Sequence, residues 1–193
     1  PDQADTWIEF VWNSANITTS TGEYNGTPIA SWPYYDSSNQ NSDFYDPNSP
    51  WGGCDCYPIK STSHGGIDVT QPTTFLNIWV ANLSGGLLGW AQFPGGPSST
   101  DGVVIAKDSL PTIGVSPYNL GRTAVHEVGH YLNLRHIWGD GDCTVDDLVA
   151  DTPAHADPNF GCANTSKDSC PNYDDPDMWE NYMDYTNDSC MTM

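Results

Sequence analysis

The most regular pattern of apolar residues lies in the middle of the chain. Between Asn119 and Leu132 the apolar residues Ala124, Val125, Val128 and Leu132 recur at intervals of three and four, and no proline interrupts them. Residues spaced in this way lie on one side of an α-helix. The pattern therefore predicts a helix over 119–132, with Asn119 as its N-cap and one apolar side.

Three shorter apolar runs upstream of this helix are typical of β-strands. Residues 74–83, 88–93 and 102–106 are rich in β-branched and aromatic side chains, and turn-forming or charged residues bound them. A fourth run, residues 7–12, predicts a first strand. The tract 13–66 is crowded with Ser, Asn, Asp, Pro and Gly, and it predicts loops, short strands and a short helix.

The last part of the chain has a different character. Residues 137–193 are rich in Asp, Asn, Pro, Gly and Cys and show little hydrophobic periodicity, which predicts a region stabilised by disulfides and ions. A chain of 193 residues is long enough for one buried core and too short for two ordinary catalytic domains. The pattern as a whole predicts one α+β domain.

The charge of the chain restricts its partners. Five Lys and Arg stand against 25 Asp and Glu, a net charge of -20. Such a polyanion repels phosphate backbones and anionic headgroups, so we expect no nucleic-acid or membrane partner. Cationic peptides and divalent metals fit better, and many Asp residues lie beside Gly, Asn or Pro, as in calcium-binding loops. Solubility of a secreted protein explains the surplus carboxylates equally well.

The cysteines indicate an oxidising compartment. They are even in number, and no two C-x-x-C pairs occur that would favour a cysteine metal site. Fifteen pairings are open from the sequence alone. The first residues lack the basic start and apolar stretch of a signal peptide, so we expect a processed, secreted chain. The cysteines are Cys54, Cys56, Cys143, Cys162, Cys170 and Cys190.

A metal-binding pattern lies inside the predicted helix. His126 and His130 are four residues apart, so both imidazoles project from one face and can bind one zinc ion. Glu127 stands next to them, where its carboxylate can act as general base on a metal-bound water. The pattern predicts metal-assisted hydrolysis.

A catalytic zinc site needs a third protein ligand. His136 lies six residues after His130, too far along to share the same straight helix face, so we expect the chain to turn at Asn133, a residue that adopts positive φ readily. A downstream glutamate, Glu180, is a weaker alternative. His64 and His155 fall in no ligand pattern and are interpreted as surface or loop histidines.

These residues resemble the H-E-x-x-H-x-x-G-x-x-H signature of the metzincin metallopeptidases, with Asn133 in place of the usual Gly. The segment 181–185 is similar to the metzincin Met-turn. The resemblance implies that Met183 forms the floor beneath the zinc. It also implies that Tyr185 stabilises the oxyanion of the reaction.

The segments HIWGDGDC (136–143), DLVADTP (147–153), NYMDYTNDSC (181–190) and LLGWAQFP (87–94) are similar to the pappalysin family of metzincins. The resemblance runs from Gly65 to the end. It implies an upper subdomain (1–133) with a twisted sheet and the active-site helix, a lower irregular subdomain (134–193), and a cleft between them. Relatives continue into a further helix, so an end at Met193 suggests a truncated or self-processed form.

The same resemblance implies further roles. It suggests structural calcium bound by the Asp146 carbonyl, Asp147 and Thr152, and disulfides Cys143–Cys170 and Cys162–Cys190. An edge strand of the upper sheet would bind substrate in extended form, and residues 88–93 are the expected strand. The residues predicted to touch the substrate are Leu88, Gly89, Trp90 and Ala91.

The sequence thus predicts a monomeric, secreted zinc endopeptidase that acts on proteins or peptides. Pappalysins commonly favour a basic residue just after the cut bond, and the acidic composition agrees with that preference. The alternative is a calcium-stabilised, inactive protease-like binding module. Loss of activity usually removes a ligand or the base, whereas Glu127 and the three histidines are all present.

Overall fold

The computed structural model describes two short strands near the amino end and most of the chain from residue 58 onward. The described residues are 23–24, 27–28, 58–62, 66–81, 83, 86–163, 166–173 and 175–192. In chain order the strands and the helix are β1 (Glu23–Tyr24), β2 (Thr27–Pro28), β3 (Ile78–Ala81), β4 (Gly89–Ala91), β5 (Val103–Ala106), α1 (Arg122–Tyr131), β6 (Phe160–Gly161) and β7 (Tyr185–Thr186).

A three-stranded mixed sheet forms the centre of the described fold. β5 lies between β3, to which it is parallel, and β4, to which it is antiparallel. Every residue of β5 is buried, as expected for an interior strand that is apolar throughout. The three runs predicted as strands are therefore confirmed, with shorter bounds. The predicted strand at 7–12 lies outside the described residues, as does most of the tract 13–66.

The predicted helix is confirmed, but its start is not where the sequence placed it. α1 begins at Arg122 after Gly121, which has a positive φ of 83°, and Asn119 does not cap it. The Asp188 carboxylate accepts the N–H groups of Leu120 (2.7 Å) and Arg122 (3.3 Å) instead. A carboxylate at a helix N-terminus accepts hydrogen bonds from N–H groups that have no partner within the helix, and its negative charge interacts favourably with the helix dipole. A residue from the far end of the chain thus replaces the local cap.

The helix buries its polar side. Val125 and Leu132, which belong to the predicted apolar side, are 41% and 47% exposed. The buried residues face the sheet and the cleft, and they include both histidines and the glutamate of the metal-binding pattern. They are Thr123, His126, Glu127, Gly129 and His130.

The region after α1 consists largely of turns, with one parallel strand pair, β6 and β7. A small core of Ile137, Trp138 and Met183 lies beneath the helix. Disulfides join Cys143 to Cys170 and Cys162 to Cys190, each with Cα atoms 5.7 Å apart. Cys54 and Cys56 lie outside the described residues.

His155 is not the surface histidine that the sequence suggested. Its side chain is fully buried, and its Nε2 accepts the Met178 N–H at 2.6 Å. The ring is buried in the lower region near Asp177 and Asp184. No local sequence pattern indicates this position. His64 lies outside the described residues. In the part of the chain that the structure describes, no helix is long and apolar enough to cross a bilayer.

Candidate active site

Three histidines converge on one point at the floor of a cleft. His126 and His130 lie one turn apart on α1, and His136 reaches them because the chain turns at Asn133, whose φ is 78°. The predicted turn at Asn133 is thereby confirmed. Among the described residues these three form a group whose ligand atoms all lie within 4.8 Å of one another. His130 Nε2 and His136 Nε2 are 3.1 Å apart.

The outer nitrogen of each ring faces an oxygen. Such a contact holds the proton on Nδ1 and leaves the Nε2 lone pair free for a metal. The three pairs are His126 Nδ1 with the Tyr182 carbonyl (2.7 Å), His130 Nδ1 with the Leu134 carbonyl (2.8 Å) and His136 Nδ1 with Asp140 Oδ1 (2.6 Å).

The electrostatics of the site suit a cation. Burial, with a smaller contribution from His130, lowers the pKa of His126 to about 3. Burial also lowers the pKa of His130. Both imidazoles are therefore neutral near pH 7, the form that binds zinc. The Nε2 atoms of these two imidazoles and of His136 converge, and they fit the three-ligand set of catalytic zinc.

Glu127 lies beside the histidines with 5% of its surface exposed. Burial raises the pKa of its carboxyl to about 8, so a nearby positive charge is needed to keep it ionised at neutral pH. Strand β4 lies directly against Glu127. A Cβ added to Gly89 would lie 2.8 Å from both Cγ and Oε1 of Glu127, so only glycine lets the strand approach this closely.

The predicted substrate strand borders the same cleft. Leu88, Gly89, Trp90 and Ala91 all line it, opposite Tyr185 and Asp188 of the lower region. Within the described residues, β4 is hydrogen-bonded only to β5. Its other edge is therefore available for an extended peptide.

Met183 and Tyr185 both lie close to the histidines. Met183 is 5% exposed and packs directly under Gly129 of the helix. The Tyr185 hydroxyl is 3.0 Å from His136 Nε2, and its ring is half exposed in the cleft. One residue thus lies beneath the histidines and the other beside the point on which they converge.

The residues predicted to bind calcium lie in one turn, away from the histidines. Asp147 is buried, and both of its carboxylate oxygens are within hydrogen-bond distance of Thr152 Oγ1 (2.7 and 2.8 Å). Asp146 is exposed, and its Oδ1 accepts the Leu148 N–H. The turn is closed by these hydrogen bonds, and calcium binding stays a prediction.

Several residues of the site were not singled out from the sequence. Asp188 and Arg122 line the cleft, and Trp138 and Asp140 contact His136. Asp140 and Trp138 were within a quoted motif, and the i, i+4 spacing of His136 and Asp140 was a usable signal. Asp188 was also within a quoted motif, but no spacing indicated its role, because it contacts the helix across more than sixty residues of sequence.

Comparisons with known proteins agree with this geometry. Residues 67–193 match the model of the peptidase family M43, described as pregnancy-associated plasma protein-A. An extracellular metalloprotease of Pyricularia oryzae is 43% identical over 120 residues, 60% of this chain and 42% of that protein. One from Arthroderma benhamiae is 46% identical over 152 residues, 75% of this chain and 54% of that protein.

A solved structure is also similar. Mature mirolysin of Tannerella forsythia, in complex with a cleaved peptide, superposes with a TM-score of 0.68 at 45% identity, covering 72% of this chain and 54% of that one. The family match and this likeness confirm the resemblance to metzincins and pappalysins. The chain spans about half the length of the relatives that it matches.

The contact between Gly129 and Met183 makes a testable prediction. Replacing a glycine inside a helix by alanine ordinarily stabilises it by about 0.8–1 kcal/mol. In Gly129→Ala the new Cβ would overlap Met183 Sδ, so we expect the free energy of unfolding to fall by about 1–3 kcal/mol. Urea unfolding measures the change.

The control is the same substitution in a Met183→Ala background, where the overlapping atom is gone. There Gly129→Ala should be neutral or stabilising. An equal loss of stability in both backgrounds would show that the Met183 contact is not the reason for glycine.

Proposed function

The chain belongs to the M43 peptidases, the pappalysin family of metzincins, and on that premise we propose that it is a secreted zinc endopeptidase of proteins or peptides. The convergence of three histidines beside Glu127, under a strand edge that has no partner among the described residues, is the observation that supports the proposal most directly. We also propose one catalytic unit, with 1–133 as upper and 134–193 as lower subdomain.

His126, His130 and His136 would hold the zinc ion through Nε2. A bound zinc ion lowers the pKa of a water ligand and polarises the substrate carbonyl. The unpaired edge of β4 holds the peptide extended across the cleft. This fixes the scissile bond above the histidines.

Glu127 moves the proton. Its carboxylate accepts a proton from the attacking water as the water oxygen bonds to the carbonyl carbon. The same carboxyl then donates this proton to the leaving nitrogen as the C–N bond breaks. Its burial under Gly89 excludes competing water and keeps the carboxyl close to the bond being cut.

Tyr185 is proposed to stabilise the oxyanion. Its hydroxyl lies 3.0 Å from His136 Nε2, and its ring is in T-shaped contact with the His136 ring at 5.0 Å. An O–H donor at this place can reach the carbonyl oxygen as negative charge develops on it. Met183 would support the histidines from below.

Glu127→Gln tests the proposal. The substitution keeps the shape of the side chain and removes the base, so we expect kcat to fall by about 10²–10⁴-fold while bound zinc is retained. Peptide cleavage and zinc content are measured on the same sample, with Glu180→Gln as control because Glu180 does not line the cleft.

Cleavage by Glu127→Gln near the wild-type rate would overturn the assignment of the base. Wild-type protein that binds zinc and cuts no peptide would instead support the inactive binding module.

A preference for a basic residue after the cut bond is proposed from Asp188. Asp184 and Asp188 both line the cleft, but Asp184 Oδ1 and Oδ2 already accept hydrogen bonds from Asn159 and Tyr185. The N–H groups of Leu120 and Arg122 both donate to Asp188 Oδ2. We therefore propose that Asp188 Oδ1 binds the arginine or lysine of the substrate. The Arg122 guanidinium, which also lines the cleft, lies over the Tyr182 ring at 5.0 Å.

Asp188→Asn tests this preference. We compare kcat/KM for two peptides that differ only in arginine or norleucine after the cut bond. The ratio should fall roughly tenfold or more, since a hydrogen bond to a charged group contributes about 1.5–3 kcal/mol. If the substitution also shifts α1, kcat/KM should change by the same factor for both peptides, and the ratio should not be affected. An unchanged ratio would exclude Asp188 as the basis of the preference.

Calcium is proposed to bind at the turn of Asp146, Asp147 and Thr152, because desolvation raises the pKa of the Asp147 carboxyl and a cation would relieve that cost. In a Glu127→Gln background, which prevents self-cleavage, added calcium should protect this turn from an external protease. Asp147→Asn should abolish the protection, and Asp157→Asn, at an exposed position, should not. Equal nicking with calcium or magnesium in the parent would argue against the site.

A further inference from the structure

His136 is held differently from the other two histidines. His126 and His130 are parts of α1, and their Nδ1 atoms face backbone carbonyls, whose positions the fold determines. His136 lies in the turns after the helix. The partner of its Nδ1 is a side chain, Asp140, at 2.6 Å. This is the one Nδ1 contact of the three that a substitution can remove.

Two contacts together fix the His136 ring. The indole of Trp138 stacks on it at 4.3 Å with an angle of 4° between the planes, and Trp138 is itself buried in the core with Met183. Stacking fixes the plane of the imidazole but not which edge of the ring faces the cleft. The Asp140 contact selects the edge, because it draws Nδ1 outward and leaves Nε2 facing His130.

The backbone carries Asp140 back to the histidine. Gly139 and Asp140 both have positive φ, 61° and 59°, and the Gly139 N–H donates to the His136 carbonyl at 2.8 Å. Aspartate and asparagine tolerate this conformation better than most other residues. The strained turn thus places the carboxylate four residues after the histidine, against its ring.

We propose that Asp140 is a positioning residue for the metal site, acting through His136. It holds the proton on Nδ1 and keeps the Nε2 lone pair directed at the metal. The inference rests on the proposed zinc site. Partners of this kind typically change metal affinity by about 10–100-fold. The Asp140 side chain is 63% exposed, so we expect a value in the lower half of that range.

The experiment measures the zinc dissociation constant by competition with a chromophoric chelator. Asp140→Asn keeps the shape and the tolerance of positive φ but loses the charge, and Asp140→Gly removes the acceptor without backbone strain. Affinity should decrease from wild type to Asp140→Asn to Asp140→Gly. The matched control is Asp142→Asn, because Asp142 is an exposed aspartate of the same loop whose carboxylate binds Thr144. It should bind zinc as wild type does.

Thermal unfolding of the zinc-free proteins distinguishes a role in positioning His136 from a role in folding. If Asp140 only positions His136, zinc-free Asp140→Asn and Asp142→Asn should unfold at the same temperature. Equal zinc affinity of wild type and both Asp140 variants would overturn the inference. Failure of the wild type itself to bind zinc would overturn the proposed function instead.

A second measurement needs no variant. In histidine-labelled wild-type protein loaded with zinc, NMR should show an exchange-protected proton on His136 Nδ1. If the Asp140 variants do not fold, the absence of that proton would by itself refute the role of Asp140.

Discussion

The constraint on which this structure depends is the burial of a polar helix face. α1 turns two imidazoles and a carboxylate inward, beneath the edge strand, and leaves Val125 and Leu132 half exposed. Buried polar groups of this kind are costly unless they have partners. The structure supplies oxygens for each Nδ1 atom, and it leaves the Nε2 atoms and Glu127 to a cation and a substrate.

The segment from 181 to 188 connects the two halves of the cleft. The Tyr182 carbonyl faces His126, Met183 supports Gly129, and the Asp188 carboxylate receives the first N–H groups of the helix. These three contacts therefore place the helix relative to the lower region. The same segment also lines the cleft, so a substitution in it can affect both substrate binding and the position of the helix. The ratio of kcat/KM between two substrates separates these effects.

Glycine permits close packing at two points of the candidate site. At Gly89 the strand lies against Glu127, and at Gly129 the helix lies against Met183, and in both cases a Cβ would overlap a neighbour. The resemblance marks only the strand position, whereas the helix position is one of the unspecified residues of the histidine motif. The geometry of the site therefore depends on the lack of a Cβ at these two glycines as well as on the polar side chains around them.

The sequence by itself determined the histidine triad, the glutamate beside it, the turn at Asn133 and the apolar strands, because each depends on spacing within a few residues. It also carried the family resemblance. Only the tertiary structure decided that Asp188, rather than Asn119, receives the first N–H groups of the helix, that His155 is buried, and that Trp138 and Asp140 contact His136. The first two depend on contacts between distant segments. The contacts of Trp138 and Asp140 depend on how the chain turns after His136, with two consecutive positive φ angles at Gly139 and Asp140. Local periodicity contains neither kind of information, since it records which residues share a face and not what that face meets.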